Sequence, residues 1–134
     1  KQVLSVEQMK HLQELGLDTS DGSMCWCYAL SYKNAKWELE IYEDVINQKR
    51  DSAFWEIIPT YTLQDILDKL PTLIIISSDF YKICIEPSCG YWDIYYYKSD
   101  ATELISKKSE NIIDAAYDML CWCIENGYVE KEGK

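Results

Sequence analysis

Phe80-Tyr-Lys-Ile-Cys-Ile-Glu-Pro-Ser-Cys-Gly-Tyr-Trp-Asp-Ile-Tyr-Tyr-Tyr97 holds two alternating runs separated by a turn. In the first, Tyr81, Ile83 and Ile85 oppose Lys82, Cys84 and Glu86, the period of two that puts successive side chains on opposite faces of a strand. Pro87 to Gly90 reads as the turn. Residues 91–98 return as a second strand, with Trp92, Ile94 and Tyr96 on one face and Tyr91, Asp93, Tyr95 and Tyr97 on the other. Strands joined this closely pair antiparallel, since a parallel pair needs a crossover of a dozen residues or more.

The segments around this hairpin alternate between helix and strand. Ser5 and Gln8 form a capping box for a helix carrying Val6, Met9, Leu12 and Leu15, which Gly16 closes. Met24 to Ser31 has the aromatic and small apolar content of a buried strand, with a turn at Lys33 and Asn34. Trp37, Leu39 and Ile41 then alternate with Lys36, Glu38 and Glu40, the pattern of a strand with one wet face. Residues 43–56 show no steady period and read as a long irregular connection. Ile58 and Pro59 lead into Thr62, which with Asp65 caps a helix of Leu63, Ile66, Leu67 and Leu70 that ends at Pro71. Leu73 to Ile76 reads as extended.

The last helix is the strongest element, from about Asn111 to Asn126, with Ile112, Ile113, Ala116, Leu120 and Ile124 along one face. Gly127 supplies a left-handed stop and Tyr128 folds back, as in a Schellman ending, while the tail beyond Glu130 reads as frayed. The order α-β-β-α-β-β-α predicts an α+β fold: one antiparallel sheet of about four strands with three helices on one face. The length of 134 residues suits a single domain over 1–134.

Composition excludes several function classes. A hydrophobic fraction of 48% marks a folding chain, yet no apolar run approaches the roughly 20 residues of a membrane helix. A net charge of −10 with Arg50 as the single arginine argues against grip on a nucleic-acid phosphate backbone. With five glycines and no glycine-rich strand-to-helix turn, neither a phosphate-cradling loop nor a dinucleotide fingerprint is present. His11, the sole histidine, lies on the first helix and reads as a surface residue, which removes sites that need two histidine ligands.

Six cysteines match neither a disulfide framework nor a zinc pattern. Cys25 and Cys27 face one side of a strand but would need two more ligands, and Cys121 and Cys123 stand about 200° apart on a helix. Cys84 and Cys89 flank the Pro87 turn, where a bond or two reduced thiols are both open. Reduced thiols fit a cytoplasmic chain, although the start at Lys1 rather than Met weakens any argument from the lack of a signal peptide. Two carboxylate pairs, Asp18 with Asp21 and Glu38 with Glu40, are the only general acid–base candidates, and turn formation at the first and strand solvation at the second are the simpler readings.

The tyrosines are more suggestive. If helices cover the Trp92 face, then Tyr91, Asp93, Tyr95 and Tyr97 stand exposed, and such aromatic clusters are common at protein interfaces. An exposed aromatic strand is equally a self-association edge.

Three segments carry a resemblance: Glu14-Leu-Gly-Leu-Asp-Thr19 with Met24-Cys-Trp26, Ile58-Pro-Thr-Tyr-Thr-Leu-Gln-Asp-Ile-Leu67, and Ala115-Ala-Tyr-Asp-Met-Leu-Cys-Trp-Cys-Ile-Glu-Asn-Gly-Tyr128. They resemble an uncharacterised family of small proteins from gut Bacteroides-type bacteria and their prophages or mobile elements. The resemblance implies an intracellular, phage-linked protein and brings no site residue, catalytic residue or cofactor. The reading favours a small acidic protein-interaction module, such as a phage or mobile-element accessory factor, with a protein partner, no metal and no cofactor. A metal-assisted hydrolase using the paired carboxylates is the alternative.

Overall fold

The computed structural model describes residues 1–131 and shows the α+β fold in a richer form than the sequence suggests. Helix α1 (Val6–Glu14) starts at the Ser5 capping box, with both reciprocal bonds to Gln8 made, and buries Val6, Met9 and Leu12. Strands β1 (Met24–Ala29) and β2 (Glu38–Ile41) pair antiparallel, Trp26 opposite Leu39. A short helix α2 (Tyr42–Gln48) follows, then strand β3 (Trp55–Thr60) on the other side of β1. Helix α3 (Leu63–Lys69) has the Thr62–Asp65 capping box. Strands β4 (Leu73–Ile76), β5 (Asp79–Ser88), β6 (Tyr91–Tyr97) and β7 (Glu103–Ser109) make an antiparallel meander, and helix α4 (Ile112–Glu125) closes the fold.

Among the described residues, four helices and two sheets, of three and four strands, replace the single sheet and three helices expected. Helix α2 and the start of β3 occupy what reads as an irregular connection at 43–56. Helix α2 has one buried side chain, Val45, and no side-chain cap, so it leaves no apolar period to detect. Strand β3 contains Pro59, which lacks a donor and suggests a break; it is tolerated because β3 is an edge strand in the order β2-β1-β3. The turn expected at Pro87 to Gly90 is tighter, since β5 runs through Ser88 and only Cys89 and Gly90, both at positive φ, bridge to β6. The expectation of a frayed tail falls mainly on residues 132–134, outside the described residues.

Helix α4 organises the main core. Its Ile113, Ala116, Met119, Leu120, Cys123 and Ile124 are sealed against β6, β7 and α3. The Schellman ending forms as expected, with Tyr128 N–H donating to the Cys123 carbonyl (2.8 Å) and Gly127 N–H to the Ile124 carbonyl (3.2 Å). The smaller sheet joins this core through Trp26 and Ile58, and the Trp26 indole donates to the Leu4 carbonyl at 2.9 Å. On its opposite face Cys25 and Cys27 form a separate cluster with Val45 of α2.

Candidate functional site

The two faces of β6 divide as the alternation requires. Ile94 and Tyr96 are fully buried on the helix side, and the Tyr96 hydroxyl donates to the Pro71 carbonyl at 2.7 Å. Tyr91, Asp93, Tyr95 and Tyr97 lie on the outer face, each half-buried. The helices pack on the inner side, so the outer face of the four-stranded sheet is turned to solvent.

Cross-strand register defines the neighbours on that face. Tyr97 stands opposite Lys82, Tyr95 opposite Cys84 and Ser106, and Asp93 opposite Glu86 and Lys108. The rings of Tyr95 and Tyr97, two residues apart, sit 5.6 Å centre to centre at 51°, a tilted aromatic pair. The Cys84 thiol beside its hydroxyl, followed by desolvation and Glu86, pushes Tyr95 above the ordinary tyrosine range. Asp93 accepts from the Ser106 hydroxyl at 2.6 Å, and the Lys108 ammonium stands 5.7 Å from the Tyr91 ring.

Two features that the sequence reading missed extend this surface. Ile75 and Phe80, opposite each other on β4 and β5, are 58% and 56% exposed, and Leu73 is 41% exposed beside them. An open hollow of about 450 Å³ adjoins Tyr97, lined by Asp79, Phe80, Lys82 and Lys98 among others. The apolar character of Leu73 to Ile76 is visible in sequence, but a continuous apolar run does not say which face is left uncovered.

The candidates for chemistry are otherwise engaged. The Asp18 carboxylate accepts from Ser20 N–H at 3.0 Å, and that bond holds it below the ordinary carboxylate range, the reverse of what a general acid requires. Asp21 binds the Tyr61 hydroxyl at 2.7 Å and pairs with Lys69. Glu40 takes a two-pronged bond from Arg50 at 2.7 and 2.8 Å, and Arg50 also covers the Trp55 ring at 4.5 Å. So Glu40 belongs to a packed ionic cluster rather than to a simple wet face, while Ile41 is 52% exposed.

Cys25 and Cys27 do share a side, Sγ to Sγ 3.6 Å, buried and with burial pushing both thiols up. Among the described residues no group of three or more histidine, cysteine or acidic side chains is arranged to hold a metal. Cys84 lies mid-strand and Cys89 in the hairpin tip; five residues of strand span about 16 Å, far beyond disulfide reach. His11 is exposed, 3.7 Å from Glu14. No helix among the described residues is long and apolar enough to cross a membrane. No family model, curated protein or solved structure matches this chain.

Proposed function

We propose that the chain is a small protein-interaction module that docks a partner protein on the outer face of the β4–β7 sheet. One observation carries the reading: Tyr95 and Tyr97 form a tilted pair on a sheet face that no helix covers, with exposed Phe80 and Ile75 alongside. Large aromatic side chains that are partly ordered by neighbours lose little rotamer freedom on contact and present both an apolar ring and a hydroxyl, the combination enriched at the centre of protein interfaces. Four strands at about 4.8 Å spacing and seven residues at about 3.3 Å rise give a face on the order of 15 by 20 Å, the scale of an interface centre.

Lys82 and Lys108 border these rings beside Glu86 and Asp93, while Lys98 is paired with Asp79 and Asp100 at 3.6 and 3.8 Å, so the rim carries both signs. A partner segment with apolar anchors and a polar rim of both signs fits that arrangement. The sequence resemblance to Bacteroides-type phage and mobile-element proteins sets the context, a cytoplasmic accessory factor acting on a host or phage protein.

The test is affinity capture from lysate of such a host, with wild type and Tyr95→Ala/Tyr97→Ala as baits, followed by calorimetry of the purified partner. Circular dichroism establishes that both baits share one fold. A partner bound by wild type and lost by the double variant is the expected result. An identical partner list from both baits removes the tyrosine face from the interface.

A further inference from the structure

The two sheets expose four edges, and three of them are blunted. Strand β2 carries Glu38 and Glu40, β3 carries Pro59, and β7 carries Glu103, Lys107 and Lys108 with a register shift opposite Tyr96 and Tyr97. Charges, prolines and irregular pairing are the means by which sheet edges are kept from joining other strands. Strand β4 has none of these. Leu73-Ile-Ile-Ile76 holds no charge and no proline, and among the described residues no element except β5 lies extensively along it.

The hydrogen-bond phase of this edge follows from one observed bond. Ile83 N–H donates to the Thr72 carbonyl at 3.3 Å, so Thr72 and Ile83 are a bonded pair. Bonded and non-bonded pairs alternate along an antiparallel ladder, which makes Ile74 with Tyr81 and Ile76 with Asp79 the next bonded pairs. Leu73 and Ile75 therefore turn their N–H and C=O groups away from β5 to the open edge, while their side chains stand on the outer face.

We infer that β4 pairs with β4 of a second copy of this chain, antiparallel about a two-fold axis at Ile74. Leu73 then lies opposite Ile75 of the other copy, and Ile75 opposite Leu73. Both residues of each pair present free donors and acceptors, so the two pairs exchange four backbone hydrogen bonds and no group of the edge is left over. On the outer face Phe80 and Ile75 of each copy line up with Leu73 of the other, and the two neighbouring rows of three form one apolar patch of six side chains flanked by Lys82 of each copy. Identical strands meeting about a two-fold axis complement each other by construction.

The magnitude is modest. The three side chains and the strand backbone offer on the order of 500 Å² per copy against roughly 800 Å² for a standard interface, which makes the pair weak and concentration-dependent. Each copy carries −10, and the uncharged strand brings no ion pair to offset that repulsion. Screening by salt therefore tightens the pair by about three- to tenfold between low and high ionic strength, the opposite of an ion-paired interface.

Sedimentation equilibrium of the full chain, from low to high micromolar and at low and high salt, tests this. Wild type and Tyr95→Ala/Tyr97→Ala reach a dimer, more readily at high salt, and the amides of Leu73 and Ile75 gain hydrogen-exchange protection with concentration. Ile75→Pro removes an outward N–H and fixes φ at an edge position, where proline is tolerated, and Ile75→Lys adds a charge to the edge; both stay monomeric with wild-type circular dichroism. Should the proline variant lose its fold, the lysine variant decides. A wild type that remains monomeric throughout, or an Ile75→Lys chain that still dimerises, overturns the inference.

Discussion

The β4–β5 connection rests on Ser77 and Ser78, both at positive φ (49° and 72°), between the paired residues Ile76 and Asp79. That is a two-residue hairpin whose central positions favour asparagine and glycine. A left-handed conformation costs an ordinary residue about 1 kcal/mol or more, which Ser77→Asn relieves in part and Ser78→Gly almost wholly. Glycine returns about 0.7 kcal/mol of that through the greater freedom of the unfolded chain. The double substitution therefore stabilises the fold by about 1 kcal/mol. With an unfolding entropy of about 2.1 cal/mol/K per residue over 134 residues, close to 0.28 kcal/mol/K, the melting temperature rises by about 4 °C. Thermal unfolding followed by circular dichroism, at a fixed low concentration that keeps any association constant, reads the shift. An unchanged or lowered melting temperature would refute the left-handed two-residue geometry, and with it the register that aims Leu73 and Ile75 at the open edge.

Two further outcomes follow from the interior. Tyr96→Phe deletes the hydroxyl that satisfies the Pro71 carbonyl and lowers unfolding free energy by about 1–2 kcal/mol in urea titration, whereas Tyr97→Phe, on the open face, changes it by less than about 0.5 kcal/mol. Arg50 holds the Glu40 carboxyl below the ordinary glutamate range, so the ion pair contributes above that range and is lost as pH falls through the lowered value. Glu40→Gln should therefore unfold about 1 kcal/mol more easily than wild type at neutral pH, with the gap closing in acid; a gap that persists unchanged to the acid limit contradicts the pairing.

What could be read from sequence was local and chemically explicit. The capping boxes at Ser5 and Thr62 and the Gly127-Tyr128 ending each involve residue types that do their work within a few positions, and all three form. The alternation in 91–97 also gave the two faces of β6, because a strand leaves no other arrangement. Which face is buried depends on where α4 lies, and the exposure of Leu73, Ile75 and Phe80 depends on β4 being an edge; neither is a property of the segment itself. Helix α2 and strand β3 were hidden for a related reason, since what holds them is the β1 surface on which they rest rather than any pattern of their own. Strand β7 is polar, with only Leu104 and Ile105 as apolar residues, and is defined by its pairing with β6.

The unequal size of the two apolar clusters gives the molecule two different stiffnesses. Twenty buried residues hold α1, α3, α4 and the meander together, whereas α2 docks through its own Val45 on Cys25 and Cys27 of β1, with Tyr42, Trp55 and Ile57 partly covered beside them. The free energy needed to open a segment scales with the apolar surface it releases, so α2 can swing off its strands at a small fraction of the cost of global unfolding. In that opened form the Cys25 and Cys27 thiols meet solvent while Tyr95 and Tyr97, on the other sheet, keep their places. The tyrosine face is thus mechanically insulated from the end of the molecule that is held by the smaller cluster.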